Sequence, residues 1–220
     1  MMRNQSHASL SALRITAVVV SLGCGVSLAG CGSDKEPILE SDSPAVVALK
    51  EAGADVKREP NMSAPDMVGR NIDLSDTSQD AEVLEHLPNV SGLTALKLTG
   101  SEVTDATLAA LPQLKTVTRL DVSGSNVTDA GLQHLASLPG LATLNLGDTQ
   151  VTGAGLANLP PGLHSLLLEN LPIGDADLEN LQHVKGLSML VLTGTQVTPS
   201  GVKEFKAGRP FLLTVGIKLK

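Results

Sequence analysis

Apolar residues recur along most of this chain with a period of 24. Leu93, Val117, Leu141, Leu163 and Leu187 open successive units, spaced by 24, 24, 22 and 24 residues. Within each unit the offsets 0, 3, 5, 10, 15 and 18 are apolar. The first unit reads Leu93, Leu96, Leu98, Val103, Leu108 and Leu111; the last reads Leu187, Leu190, Leu192, Val197, Val202 and Phe205. All such positions in the five units are apolar against 42% for the whole chain, so the period reports structure rather than composition. A worn unit precedes them, opening at Gly69 with Ile72, Leu74, Leu84 and Leu87 in register, while Gly69 and Gln79 break the pattern. A partial unit follows at Leu212, Val215 and Ile217.

Two shorter periods lie inside each unit. Leu96-Lys97-Leu98 alternates with period two and predicts a short strand. Stacked units then place these strands about 4.8 Å apart in a parallel sheet. From Val103 to Leu111 the apolar residues are spaced as on a helix. Thr104, Thr128, Thr152 and Thr198 stand where a hydroxyl can accept an orphan amide at the helix start. Asp105 and Asp129 follow in the first turn, where the helix dipole favours an acid, and Pro199 takes the first helical position in its unit. The fourth unit has Gly174 at the cap; the third is two residues short and ends Pro160-Pro161-Gly162. No unit can bury its apolar face alone, so both ends need covering. Pro44–Ala54 reads as an amphipathic helix ended near Gly53, with Val56 in a short strand. Phe205 and Phe211, the only aromatic residues, are expected to plug the other end.

The pattern L-x-x-L-x-L-x-x-S/T-x-V, running from Gly69 to Ile217, resembles the leucine-rich repeat family. The V-T-D-A-x-L segment is similar to the helix-backed GALA and F-box-associated subclasses. The resemblance implies an α/β leucine-rich-repeat solenoid, right-handed, with a parallel sheet on the concave face and short helices on the convex face. Residues 45–68 are then an N-terminal cap, 69–211 six repeats and 212–220 a C-terminal cap. Thr77, Ser101, Ser125, Thr149 and Thr195 occupy the ladder position, where each hydroxyl is expected to bond the neighbouring turn's backbone. Leu171 departs from that pattern and is followed by Pro172, which predicts an altered turn.

The N-terminus carries a different signal. Arg3 and Arg14 flank a polar start, and Ile15–Leu28 is apolar and uncharged. Leu28-Ala29-Gly30-Cys31 follows. A basic start, a short apolar run and small residues before a cut describe a secretory signal over residues 1–30. These four residues resemble the lipobox of bacterial lipoproteins. The resemblance implies that Cys31 is acylated and becomes the mature N-terminus, anchoring the chain to a membrane. The competing reading is an uncleaved membrane helix over Ile15–Ser33, near the lower length limit for spanning. Both place residues 32–220 outside the cytoplasm, in the cell envelope. In some bacteria an Asp after the cysteine retains such a lipoprotein in the inner membrane; Gly32 stands there, and the resemblance leaves inner and outer membrane both open. Residues 31–44, acidic and poor in large apolar side chains, read as a flexible tether.

Composition narrows the function. The net charge is −7, or −9 without residues 1–30, which argues against a nucleic-acid partner. Aromatics make up 1% of residues, which removes the usual stacking platform. Two cysteines make neither a disulfide framework nor a thiolate zinc site, and no metal or cofactor is expected. His86, His134, His164 and His183 pair with no elbow-type serine or carboxylate, and there is no HExxH or Gly-rich phosphate loop. Catalysis is therefore not expected. Asn61, Asn89 and Asn126 match N-x-S/T and are given no role.

What remains is recognition. Side chains alternating with the core leucines face outward from the sheet. Lys97, Arg119, Asp121, Asn145 and Glu169 are polar there, while Leu167, Met189 and Val191 expose an apolar cluster, a feature that marks interaction sites. The expected role is binding of a protein partner of unknown identity, with a structural or glycan-associated envelope role as the alternative.

Overall fold

The computed structural model describes residues 42–60, 68–75, 81–100 and 102–216. The signal segment, Cys31, Thr77, Ser101 and Ile217 lie outside the described residues. The first element is helix α1, Pro44–Glu51, which buries Ala45, Val46 and Leu49 against the repeats and leaves Val47 exposed. Gly53, at φ 97°, turns the chain out of it. Asp42 falls in the stretch read as tether, yet its carboxylate accepts hydrogen bonds from Lys50 and Arg58. The folded domain therefore begins before Pro44.

Strand β1 (Asp55–Pro60) pairs antiparallel with β2 (Val68–Asp73). Every later strand adds parallel in chain order: β3 (Leu93–Lys97), β4 (Arg119–Asp121), β5 (Thr143–Asn145), β6 (Ser165–Leu167), β7 (Met189–Val191) and β8 (Leu213–Val215). Ile72, Leu96, Leu120, Leu144, Leu166 and Leu190 stand side by side in this ladder. All six are at most 2% exposed, so the strand leucines form one continuous inner row. Each strand is short because it needs only to bury that row and point its neighbours outward.

The return side of the solenoid is built from short helices: α2 (Ala81–Leu84), α3 (Asp105–Ala109), α4 (Asp129–Leu135) and α5 (Pro199–Phe205). In the third and fourth units the return is a 3₁₀ helix instead, Gly153–Asn158 and Asp175–Leu181. A 3₁₀ turn covers more length per residue. That suits the third unit, which is two residues short and has Gly153 and Gly155 where α-helix propensity is low. The acids read as dipole partners do more than that. Asp105 accepts the Thr128 amide (2.8 Å) and hydroxyl (2.6 Å), Asp129 accepts those of Thr152 (2.7 and 2.6 Å), and Asp175 those of Thr198 (2.7 and 2.6 Å). Each acid thus fastens its unit to the next.

Three expectations are corrected. The ladder hydroxyls bond their own turn: Ser125, Thr149 and Thr195 each donate to the carbonyl three residues back, at 2.6, 2.7 and 2.7 Å. Neighbouring turns are joined there by backbone bonds such as Asn126 N–H to Val103 O (2.9 Å). Leu171 fills the same space with a buried side chain. The last partial unit is shifted by one residue, because β8 sets Thr214, not Val215, beside Leu190. With side chains alternating at period two, that slip turns Leu213 and Val215 to the open face. Finally, Phe211 is no plug: it is 90% exposed. Phe205 does pack against the core, under the Arg209 guanidinium 4.4 Å above its ring. Arg209 donates to the carbonyls of Val184 (2.8 Å), Leu181 (3.1 Å) and Gln182 (3.3 Å), so it closes orphan acceptors at this end.

Candidate functional site

The open face of the sheet carries two rows of side chains. One runs Asn71, Ala95, Arg119, Thr143, Ser165, Met189 and Leu213; the other runs Asp73, Lys97, Asp121, Asn145, Leu167, Val191 and Val215. Both keep the register of the 24-residue period to the last strand, with one step of 22 where the third unit is short. Lys97, Arg119, Asp121, Asn145 and Leu167 come together in the lining of a hollow of about 400 Å³ whose floor is Ile72, Leu96 and Leu120. Glu169, Met189 and Val191 lie outside that lining, further along the face.

Charges in the hollow are ordered by contacts between units. Lys97 bridges to Asp73 at 3.0 Å, one strand away. Burial alone would push the Asp73 carboxyl up, but bonds from the Ser75 hydroxyl and amide, together with Lys97, hold it below its ordinary value. Arg119 reaches further. It donates to Asn71 (2.9 Å), two strands away, and to Glu59 (2.9 Å) in β1. The intervening residue in its row is Ala95, whose short side chain leaves the path clear. These exposed pairs add little stability; their effect is to hold both cations in one orientation.

Asp121 differs from its neighbours. Its Oδ1 accepts the Ser123 amide (3.0 Å) and hydroxyl (2.7 Å), and no salt bridge engages it among the described residues. The hollow therefore holds three cations already paired, Lys57, Lys97 and Arg119, and one carboxylate, Asp121, with spare acceptor capacity. Beyond it the face changes character at Ser165, whose Oγ is buried without a hydrogen-bond partner among the described residues. Leu167, Met189 and Val191 follow, half-buried, and then Leu213 and Val215, exposed.

Sequence reading missed Asp55, Lys57 and Glu59. The first two line the hollow and the third fixes Arg119, but all three come from an antiparallel strand outside the repeat period. The charged alternation Asp55, Lys57, Glu59 on one side of a strand was the available signal. Among the described residues no group of three His, Cys, Asp or Glu side chains is placed to hold a metal ion, and no helix is long and apolar enough to cross a membrane.

Comparison with known proteins bears on the fold. Residues 113–136, one full turn of the solenoid, match the Leucine Rich repeat family. No curated protein matches the chain. Among solved structures, the chain is similar to internalin C2 of Listeria monocytogenes, at 26% identity and a TM-score of 0.48, over 60% of this chain and 54% of that one. A second internalin of the same organism, InlF, aligns at 21% identity and a TM-score of 0.41, over 63% and 50%. A TLR13–ssRNA13 complex aligns at 22% identity and 0.41, over 53% and 17%. The chain thus spans about half the length of the internalins it matches. The family match and the stacked parallel strands agree on an α/β leucine-rich-repeat solenoid.

Proposed function

We propose that this protein is a non-catalytic recognition protein of the bacterial cell envelope, anchored by acyl chains on Cys31, whose open sheet face binds a protein partner. The hollow around Lys97, Arg119, Asp121, Asn145 and Leu167 carries this reading. It is a rigid, shallow site in which polar groups are oriented before any partner arrives, and preorganised groups lose less entropy on binding. Asp121 offers the partner an acceptor for a cationic or amide group, and Leu167 offers apolar area at the rim. Absence of Trp and Tyr removes the commonest anchors of tight interfaces, so a modest affinity is expected. The net charge of −7 supports a protein over a nucleic acid.

The location is tested by replacing Cys31 with Ser: the variant should leave the membrane fraction and lose labelling by palmitate. Recognition is tested by co-purification of the full chain from envelope extracts. A stoichiometric partner retained by the wild type and lost on Leu167→Asp, with folding intact, is expected. Sedimentation of the protein with purified wall polymer, with no protein partner, would favour the structural role instead.

A further inference from the structure

The three cations around the hollow already have carboxylate partners. Asp55 holds Lys57 (2.6 Å), Asp73 holds Lys97 (3.0 Å) and Glu59 holds Arg119 (2.9 Å). Two carboxylates of the open face have no such partner. Asp121 spends Oδ1 on the Ser123 amide and hydroxyl, and its Oδ2 forms no salt bridge among the described residues. Glu169, just after β6, forms none either among the described residues. The unit between them brings the two closer. A Cβ at Gly147 would meet Glu169 Cβ at 3.3 Å and Asn145 Oδ1 at 3.4 Å, so glycine leaves those side chains room to approach, and Asn145 stands beside Asp121 in the ladder. Next in the same row come Leu167 and Val191, with Met189 on the same strand as Val191, all half-buried.

The charge left over on this face is therefore negative, and apolar area adjoins it. A second copy of the chain, itself at net charge −7, would set these carboxylates against their own kind. Nucleic-acid phosphates would do the same, and a neutral glycan would leave both carboxylates unused. A free polyamine would pair with them and leave Leu167 and Val191 uncovered. A polypeptide segment that is basic at one end and apolar at the other meets both features. Three strand spacings, about 14 Å, separate Asp121 from Val191, and four residues of extended chain cover the same length with alternate side chains on one side. We propose that the hollow takes an extended partner segment lying across the strands, in either direction. Its lysine or arginine sits on Asp121 beside Glu169, and aliphatic side chains two and four residues away cover Leu167 and Val191. This inference rests on the reading of the hollow as a protein-binding site and adds the chemistry of its partner.

The probes are two terminally blocked pentapeptides, Arg-Ser-Leu-Ser-Leu and its reverse, labelled for fluorescence anisotropy and titrated with the full chain. Saturable binding of at least one is expected, weakening as salt screens the exposed charges. Glutamate in place of arginine, or serine in place of both leucines, should cost about tenfold or more in affinity. Asn145 makes with the Gly147 amide (3.1 Å) the turn that Asp121 makes with that of Ser123, so Asp121→Asn keeps the fold. Asp121→Asn with Glu169→Gln should abolish the preference for arginine over glutamate. No saturable binding, equal binding of the arginine and glutamate peptides, a preference unchanged in the double variant, spermidine binding as tightly as the peptide, or a dimer of the free chain dispersed by Leu167→Asp would each overturn the proposal. A partner from envelope extracts that is lost on Leu167→Asp yet fully retained by the double variant would overturn the basic segment and leave the protein-binding reading standing; a partner indifferent to both would remove that reading as well.

Discussion

The carboxylate of Asp105 occupies the space where a Cβ on Gly131 would stand. The same relationship joins Asp129 to Gly155 and Asp175 to Gly201. An acid that reaches across to the threonine of the next helix passes over the third residue of that helix, so that residue must be glycine. Where a unit has no acid the constraint disappears. Gly153 stands in place of the acid in the third unit, and the fourth unit accordingly carries Asp177 where its neighbours have glycine. Asp177 turns back to accept the Gly174 amide at 2.8 Å, and its side chain fills the space over Gly153.

Gly131→Ala is therefore expected to destabilise. In an unconstrained helix the change gains up to about 1 kcal/mol; here overpacking should cost about 1–3 kcal/mol. Asp105→Ala alone should cost about 1–3 kcal/mol through two lost charge-assisted bonds. Made in the Asp105→Ala background, Gly131→Ala should turn neutral or stabilising. Urea unfolding of the four proteins measures the coupling, and additive effects would disprove the brace.

A left-handed residue recurs seven positions after the start of each unit: Gly100, Gly124, Asp148, Asn170 and Gly194. Around Gly124 an added Cβ meets nothing within 4 Å, so only the backbone resists a side chain there. Gly124→Ala should cost about 1–2 kcal/mol, the penalty for an L-residue in that conformation. Denaturation that is unchanged within error would show that the turn relaxes freely.

The register of β8 is open to a simple comparison. Leu190, fully buried, should cost about 2–5 kcal/mol as Leu190→Ala. Val215, facing outward, should change stability by less than about 0.5 kcal/mol as Val215→Ala. If Val215 were the inward residue, as the one-residue-shifted repeat pattern implies, its loss would approach that of a core valine.

Acid should loosen the link between β1 and the repeats. Bonds from Arg119 and then Asn71 hold the Glu59 carboxyl below its ordinary value of 4.5. A group with a lower pKa folded than unfolded stabilises fully above the unfolded value and loses that contribution as pH falls through the folded one. Asp42 behaves alike through Lys50 and Arg58, as does Asp73 through Ser75 and Lys97. Carboxyl titration by NMR should place the Glu59 midpoint below 4.5 and return it toward that value in Arg119→Ala, with Asp42 unmoved.

Much of the architecture was legible because it repeats. The inner leucines, the outward rows and the threonine caps each recur at one offset, and a stack of equivalent turns gives the same offset the same surroundings. The hollow was half legible for the same reason: Lys97, Arg119, Asp121, Asn145 and Leu167 lie on the grid, whereas Glu59, Lys57 and Asp55 do not. The aspartate–glycine pairing was also written in the chain, but as a relation between residues 26 apart, which no single unit displays.

Repetition ends at the termini, and there the amino-acid order alone misleads. Phe211 and Val215 look like core residues by type, yet among the described residues no strand follows β8, which pairs with β7 alone. Its pairing keeps the period, since Met189 and Leu213 are 24 residues apart, and it is Leu212, read as the start of the last unit, that lies one residue late. Periodic burial follows from sequence because every turn faces a copy of itself; the two end faces depend on which long-range bonds form where no such copy exists.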